Sequence, residues 1–220
     1  MISTYSKFIF HYFIYAVQRY NYFFKNSYYS TIYCVFYKTR ISYYLCNMKR
    51  TTSIENIFRP LSELSVQSAL TNEVQIADIL EWVLEQVGPS EVWQTSFSIS
   101  EEFLRRLYFI TRGGKASAIH LVLDFKATNK TLHLWRFIDQ VISDTVLADN
   151  HSKVLLVQSA SGVKVSIITS QNLTRGNRNE AYIITTEAAV FDKFLSEVEH
   201  LIKWHSVPLS EILSQKISEQ

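Results

Sequence analysis

From residue 72 onward the apolar positions switch between a helical period and the short runs expected of strands. Ile76, Ile79, Leu80, Val83, Leu84 and Val87 recur at helical spacing. Asn72 is placed to cap that helix, and Gly88-Pro89 stops it. Glu91–Ser98 (EVWQTSFS) reads as a strand. Ser98 with Glu101, or Ser100 alone, is placed to cap a second helix carrying Phe103, Leu104 and Leu107, ended by Gly113-Gly114. Ala118–Phe125 (AIHLVLDF) is a nearly continuous apolar run, as in a strand buried on both faces. Leu132, Trp135, Ile138, Val141 and Ile142 form another helical stripe. Thr145–Ala148, Lys153–Gln158, Val163–Thr169 and Ala181–Thr185 follow as strands, with Ser161-Gly162 as a hairpin turn. A last helix from Glu187 to Trp204 would bury Phe191, Phe194, Leu195, Val198, Leu201 and Ile202.

Strands alternating with helices predict an α/β domain. The later strands follow one another without helices, so the β-sheet should be mixed and flanked by helices. The expected domain spans 72–206. Residues 48–71 are polar and read as an arm or a loose first element, and 207–220 as a C-terminal helix or tail. There is no internal repeat. Gly113-Gly114 lacks the strand and the Lys-Ser/Thr of a phosphate-binding loop.

Composition changes the picture at the N-terminus. Residues 1–47 carry Lys7, Arg19, Lys25, Lys38 and Arg40 and no acid, a charge of +5 that leaves −3 for the remainder of a +2 chain. Eleven of the 13 tyrosines and both cysteines, Cys34 and Cys46, lie there, whereas every Gly, Pro and Trp lies beyond it. A segment without turn-forming Gly or Pro makes a poor globular domain. Its best apolar run, Phe8–Val17, is far short of the roughly 20 residues of a membrane span. It has a weak basic start and no clear cleavage site, so an export signal is not credible and a cytoplasmic location is expected. The expectation is a non-globular segment, translated upstream sequence, with Met48 as the natural start; an aromatic membrane-surface anchor is the rival. Without that segment the chain has no cysteine, and disulfides, thiolate catalysis and cysteine-rich zinc sites drop out.

Four polar residues then stand out among the later strands. His151 and Lys153 are two apart and would project to one face of a strand. Asn172 follows a second strand and Glu180 opens a third. An imidazole can be nucleophile or proton carrier. An ammonium and an amide can hold phosphoryl oxygens, and a carboxylate can fix an imidazole tautomer. Each also has an ordinary use: a loop histidine, an exposed strand lysine, a cap or turn asparagine, and a surface carboxylate paired with Arg175 or Arg178. Arg175, Arg178 and Lys164 form a basic cluster that suits phosphate contacts or a solvated loop. Arg105-Arg106, Lys126 and Lys130 could extend it. Asp124 reads as a site-rim residue or a turn cap. Trp82, Trp93 and Trp135 are most simply core. His200 and His205 have poor metal spacing and read as surface.

His151-Ser152-Lys153, then Thr169-Ser170-Gln171-Asn172-Leu173-Thr174, then Glu180 resemble the phospholipase D superfamily. Its signature is H-x-K, an Asp, G-S-x-N and a Glu. The resemblance covers 151–180 as motif and about 90–220 as fold pattern. The family's Asp falls on Gln158 and its Gly on Thr169, which are departures. Such enzymes build one site from two motifs, and this chain has one; neither His120 nor His133 is followed by a Lys two residues on. The resemblance therefore implies a homodimer with the site across its two-fold axis. It implies His151, Lys153, Asn172 and Glu180 as catalytic residues; Ser170 of the motif, with Arg175 and Arg178 of the basic cluster, is expected to bind substrate. It also implies a phosphohistidine intermediate, no metal or other cofactor, and a nuclease acting on DNA rather than RNA. No stable membrane association is expected. A non-catalytic module of the same fold, binding nucleic acid or a partner protein, is the alternative.

Overall fold

The computed structural model describes residues 53–127, 134, 137, 138 and 141–218. The segment 1–47 and the expected contributions of Lys130, Leu132, His133 and Trp135 lie outside these residues.

The described chain builds an eight-stranded mixed sheet. Its elements are β1 (Val66–Thr71), α1 (Ile76–Val87), β2 (Ser90–Ser96), α2 (Glu101–Arg112), β3 (Ala116–Asp124), β4 (Asp144–Ala148), β5 (Val154–Ser159), β6 (Lys164–Thr169), β7 (Glu180–Thr185), α3 (Ala188–His205), β8 (Ser206–Pro208) and α4 (Leu209–Ser218). Strand order is β1-β7-β6-β5-β2-β3-β4-β8. Strands β2, β3 and β4 run parallel, joined by crossovers; β5, β6, β7 and β1 pair antiparallel. The mixed sheet expected from the order of helices and strands is thus present.

Side-chain alternation divides the core into two layers. Val92, Leu121, Leu123, Leu155, Val157, Val165, Ile167 and Ile184 face the apolar stripes of α1 and α2. Trp93, Val122, Val146, Val154 and Leu156 face α3 through Phe191 and Val198. Trp93 meets the Phe191 ring edge-on at 6.4 Å. Trp82 and Trp93 are core, as their stripes suggested. Phe194, Leu195, Leu201 and Ile202 of α3 are only partly buried against this layer.

Two local expectations differ, and one of two alternatives is selected. Asn72 does not cap α1. Gln75 does, in a reciprocal capping box in which Gln75 N donates to Asp78 Oδ2 at 2.8 Å; Asn72 reaches Asn177 O instead. For α2, Ser100 is the cap, accepting from Phe103 N at 3.3 Å. The stretch read as a loose arm is tied down from Phe58 onward: Phe58 is buried against Trp82, and the Gln67 amide spans Arg59 N and O at 2.7 and 2.8 Å. Val66–Thr71 then pairs with β7 at the sheet edge. An edge strand with one open face carries little hydrophobic signal, which is why its sequence looked loose. Strand β8 is short, carries Pro208 and closes the opposite edge, where proline is tolerated.

The Ser161-Gly162 turn joins β5 to β6. Gly162 has φ +87°, and Gly162 N donates to Ser159 O at 2.9 Å. That hairpin brings Lys153 and Thr169 to the same end of the sheet, where Thr169 N donates to Lys153 O at 3.0 Å. Replacing Phe191 by Ala empties the layer under α3 and should lower stability by about 3–5 kcal/mol. Urea denaturation of the variant checks it; a loss below about 1 kcal/mol would place α3 outside the cooperative core.

Candidate active site

His151, Lys153, Asn172 and Glu180 lie at one end of the sheet. There β2 and β3 finish at Ser96 and Asp124, β5 and β7 begin, and β6 ends. Loops leaving the carboxyl ends of parallel strands are the usual place for a site in an α/β sheet.

The loop entering β5 is held by buried polar groups. Asp124, 2% exposed, accepts Lys126 N at 2.7 Å and Asn150 N at 3.0 Å. It therefore turns its own loop and also anchors the histidine-bearing one. Asn150 Oδ1 accepts Ser152 N at 3.1 Å, and its amide nitrogen lies 3.5 Å from Ser96 O. Ser152 Oγ is 2.8 Å from Thr95 Oγ1, which accepts Val154 N at 3.0 Å. Between these ties His151 projects into solvent and Lys153 is half-buried. Lys153 Nζ donates to His151 O at 2.8 Å and lies 3.4 Å from His151 Nδ1. The Phe97 ring lies 5.4 Å from the imidazole, tilted by 56°.

The second loop, Ser170–Gly176, is fixed by Gln171, 2% exposed. Its Oε1 accepts Ile76 N and the Tyr182 hydroxyl, both at 2.8 Å. Its Nε2 donates to Gln75 Oε1 at 2.7 Å and to Thr174 O at 3.2 Å. Gln75 Oε1 also accepts Gly176 N at 2.9 Å. On the next residue, Asn172 Oδ1 lies 3.4 Å from Ser96 Oγ, which accepts Leu173 N at 3.1 Å. Among the described residues Asn172 Nδ2 has no partner, so this donor is available to a ligand. Ser170 Oγ donates to Glu180 and accepts Ala181 N at 3.0 Å. Ser170 therefore positions the carboxylate.

The electrostatics join Lys153 to Glu180. Partial burial pulls the Lys153 ammonium below the usual lysine range, and the Glu180 charge opposes that pull. Expected as the imidazole's orienter, Glu180 does not hydrogen-bond His151 within the chain; its bond is to Ser170. Lys153, not a carboxylate, lies beside Nδ1.

The expected basic cluster separates. Arg178 is exposed, and Arg175 pairs with Glu102 at 3.1 Å. Lys164 begins β6 and pairs with Asp192 of α3. It lies about 16 Å along the strand from Thr169, at the far end of the sheet. Arg105 pairs with Glu101, and Arg106 is committed to Asp78 and Glu81. Gln158, where the family pattern has its Asp, also sits at that far end, opposite Lys164 and Glu91. His200 and His205 are exposed, their rings 5.3 Å apart. Among the described residues no three His, Cys, Asp or Glu side chains are grouped to hold a metal ion, and no helix is long and apolar enough to cross a membrane.

No family model matches the chain, and no curated protein matches it. Among solved structures it is similar to Nuc from Salmonella typhimurium, a phospholipase D family member, at 16% identity and a TM-score of 0.49, over 64% of this chain and 95% of that one. It is similar to NucT from Helicobacter pylori at 12% identity and a TM-score of 0.48, over 64% and 98% of the two chains. A third likeness is to a phosphatidylserine synthase from Haemophilus influenzae, at 14% identity and a TM-score of 0.47, over 66% and 40%.

Sequence reasoning passed over Asn150, Gln171 and Phe97. Gln171 fills a variable place in the motif, and its importance comes from partners 95 residues away.

A lysine whose pKa is lower folded than unfolded costs stability while charged; the cost is full below its folded value and fades as pH rises from the folded to the unfolded value. Glu180→Gln removes the opposing charge and should push the Lys153 pKa further down. Titration of ¹³C-methylated Lys153 by NMR reads this directly; an unchanged or higher pKa in the variant would remove Glu180 from the pair.

Proposed function

We propose that the chain is a metal-independent phosphodiesterase of the phospholipase D type, a nuclease cleaving DNA in a site shared by two copies. The supporting observation is the meeting of the His151 and Lys153 side chains at a strand end, with Asn172 on the adjoining loop and Glu180 at the start of β7. An exposed imidazole next to a cation and a free amide donor suits attack on a phosphodiester. The departure at Gln158 falls at the other end of the sheet and leaves this grouping intact.

In the proposed reaction, His151 Nε2 of one copy attacks phosphorus. A nitrogen–phosphorus bond forms, and the bond to the leaving oxygen breaks as His151 of the second copy gives that oxygen a proton. The second imidazole then takes a proton from water, whose oxygen attacks phosphorus and displaces the first imidazole. Lys153 and Asn172 hold the non-bridging oxygens as their charge grows. For Nε2 to be nucleophilic, Nδ1 must carry the ring proton and give it to an acceptor. Lys153 is a donor, and Glu180 does not reach Nδ1 within one chain. The reading therefore assigns Nδ1 an acceptor that arrives with the second copy or with substrate.

Hydrolysis of bis-p-nitrophenyl phosphate and of plasmid DNA, with EDTA present, tests the proposal. His151→Ala should cut the rate by about 10³-fold or more, and Lys153→Ala or Asn172→Ala by about 10²-fold. Mass in solution should correspond to a dimer. A monomer that cleaves nothing would leave only a non-catalytic module, binding nucleic acid or a partner protein.

A further inference from the structure

The two edges of the sheet are built differently. β8 closes one edge with three residues that include Pro208. A short strand with a proline offers few backbone groups to another chain, which is how sheet edges are protected from pairing. β1 closes the other edge with six residues, Val66–Thr71 (VQSALT). It has no proline and no charged residue. Among the described residues β1 pairs with β7 on one side and with no strand on the other. Alternate backbone N–H and C=O groups of such a strand point away from its partner, toward the open side.

The strand is held in place from behind. The Gln67 amide bonds Arg59 N, Arg59 O and Leu64 O, and Thr71 Oγ1 accepts Glu73 N at 3.0 Å. Its other face carries Val66, Ser68 and Leu70, opposite Thr185, Ile183 and Ala181 of β7. This is the α3 face: Val154 of the α3 layer pairs with Ile168, Ile168 with Ile183, and Ile183 with Ser68. Burial falls along that row, from Val154 through half-buried Ile168 to Ile183, 46% exposed, and exposed Ser68. Val66 is 51% exposed and Leu70 75%. Large apolar side chains clustered on an uncharged edge mark a surface that another strand covers.

The strand is complementary to itself. Antiparallel pairing of two copies about an axis between their Ser68 residues sets Val66 of each opposite Leu70 of the other. Residues directly opposite share a face, so both apolar contacts form on the α3 face, while Gln67 and Ala69 meet on the other. No like charges are brought together, since the strand has none. A shift of two residues either way sets Leu70 or Val66 opposite Ser68 and breaks the Val66–Leu70 contacts.

We infer that β1 is a self-pairing edge, through which a second copy adds its own β1 and joins two eight-stranded sheets into one. The inference goes beyond the phosphodiesterase reading and does not rest on it. Its two-fold axis stands perpendicular to the sheet and sends the His151 loops of the paired copies to opposite ends. It is therefore separate from the axis that a shared site requires. The contact is one strand edge wide, small beside the roughly 1,600 Å² of a standard interface, so it forms and dissolves with concentration.

Cysteine substitution in the full chain tests the pairing. At the axis the two Cα atoms of position 68 would lie about 4.5–5.5 Å apart, within the range of a disulfide. Under mild oxidation Ser68→Cys should give a covalent dimer whose link, mapped by peptide mass spectrometry, joins position 68 of two chains. Thr71→Cys should not, because the pairing sets the two copies of position 71 about 20 Å apart. Sedimentation velocity over an about hundredfold dilution series should show the wild-type mass doubling at the concentrated end. Ser68→Lys, which sets two ammonium groups opposite each other, should abolish that doubling and leave the thermal midpoint and the hydrolysis of bis-p-nitrophenyl phosphate at their wild-type values. A link at position 68 that fails to form, or forms no faster than one at position 71, overturns the inference. So does a mass doubling that survives Ser68→Lys. Pairing through position 68 in a chain that hydrolyses no phosphodiester would uphold the edge and sink the catalytic reading.

Discussion

The candidate site depends on two adjacent hydroxyl residues, Thr95 and Ser96, at the end of β2. Thr95 Oγ1 accepts Val154 N and lies against Ser152, fixing the loop that carries His151 and Lys153. Ser96 Oγ accepts Leu173 N and touches Asn172, fixing the second loop. Both are about 99% or more buried, at 1% and 0% exposure. Buried hydroxyls are retained only where hydrogen bonds offset their desolvation. Here those bonds replace the ladder that the sheet loses as its strands diverge. Without them, two loops from opposite sides of β2 would have no common reference.

A second layer of buried polar groups surrounds this pair. Asp124 and Asn150 hold the first loop, and Gln171, Gln75 and Tyr182 hold the second to the start of α1. Thr95, Ser96, Asp124, Asn150, Gln75 and Gln171, which hold the two loops, are buried, whereas His151, Lys153, Asn172 and the Ser170–Glu180 pair are exposed or half-buried. That division fits a preorganised site: rigid groups settle the geometry, and the reactive ones remain open to a ligand.

The charges are arranged sparingly. Lys153 is pulled down by burial and supported by Glu180, while Ser170 keeps that carboxylate in place. Among the described residues, Arg106 is committed to Asp78 and Glu81 and Arg175 to Glu102, while Lys126 and Arg178 are exposed.

Much of the fold was legible in the sequence. The stripes of α1, α2 and α3 and the runs of β2 to β7 carry their periods openly, because each buries a face. The pattern also pointed to the end of β5 as the chemical end, through the spacing of His151 and Lys153. It did not reveal β1, whose open face and edge position weaken the alternation, or β8, three residues long. It placed Lys164 beside the site, although counting along β6 puts it at the other end. Local pattern determines what each segment forms, since periodicity is a property of neighbours. Only the tertiary structure decided which side chains meet: Gln171 with Gln75, Ser96 with Leu173, and Phe97 with His151 are pairs 54 to 96 positions apart, set by strand order and loop path.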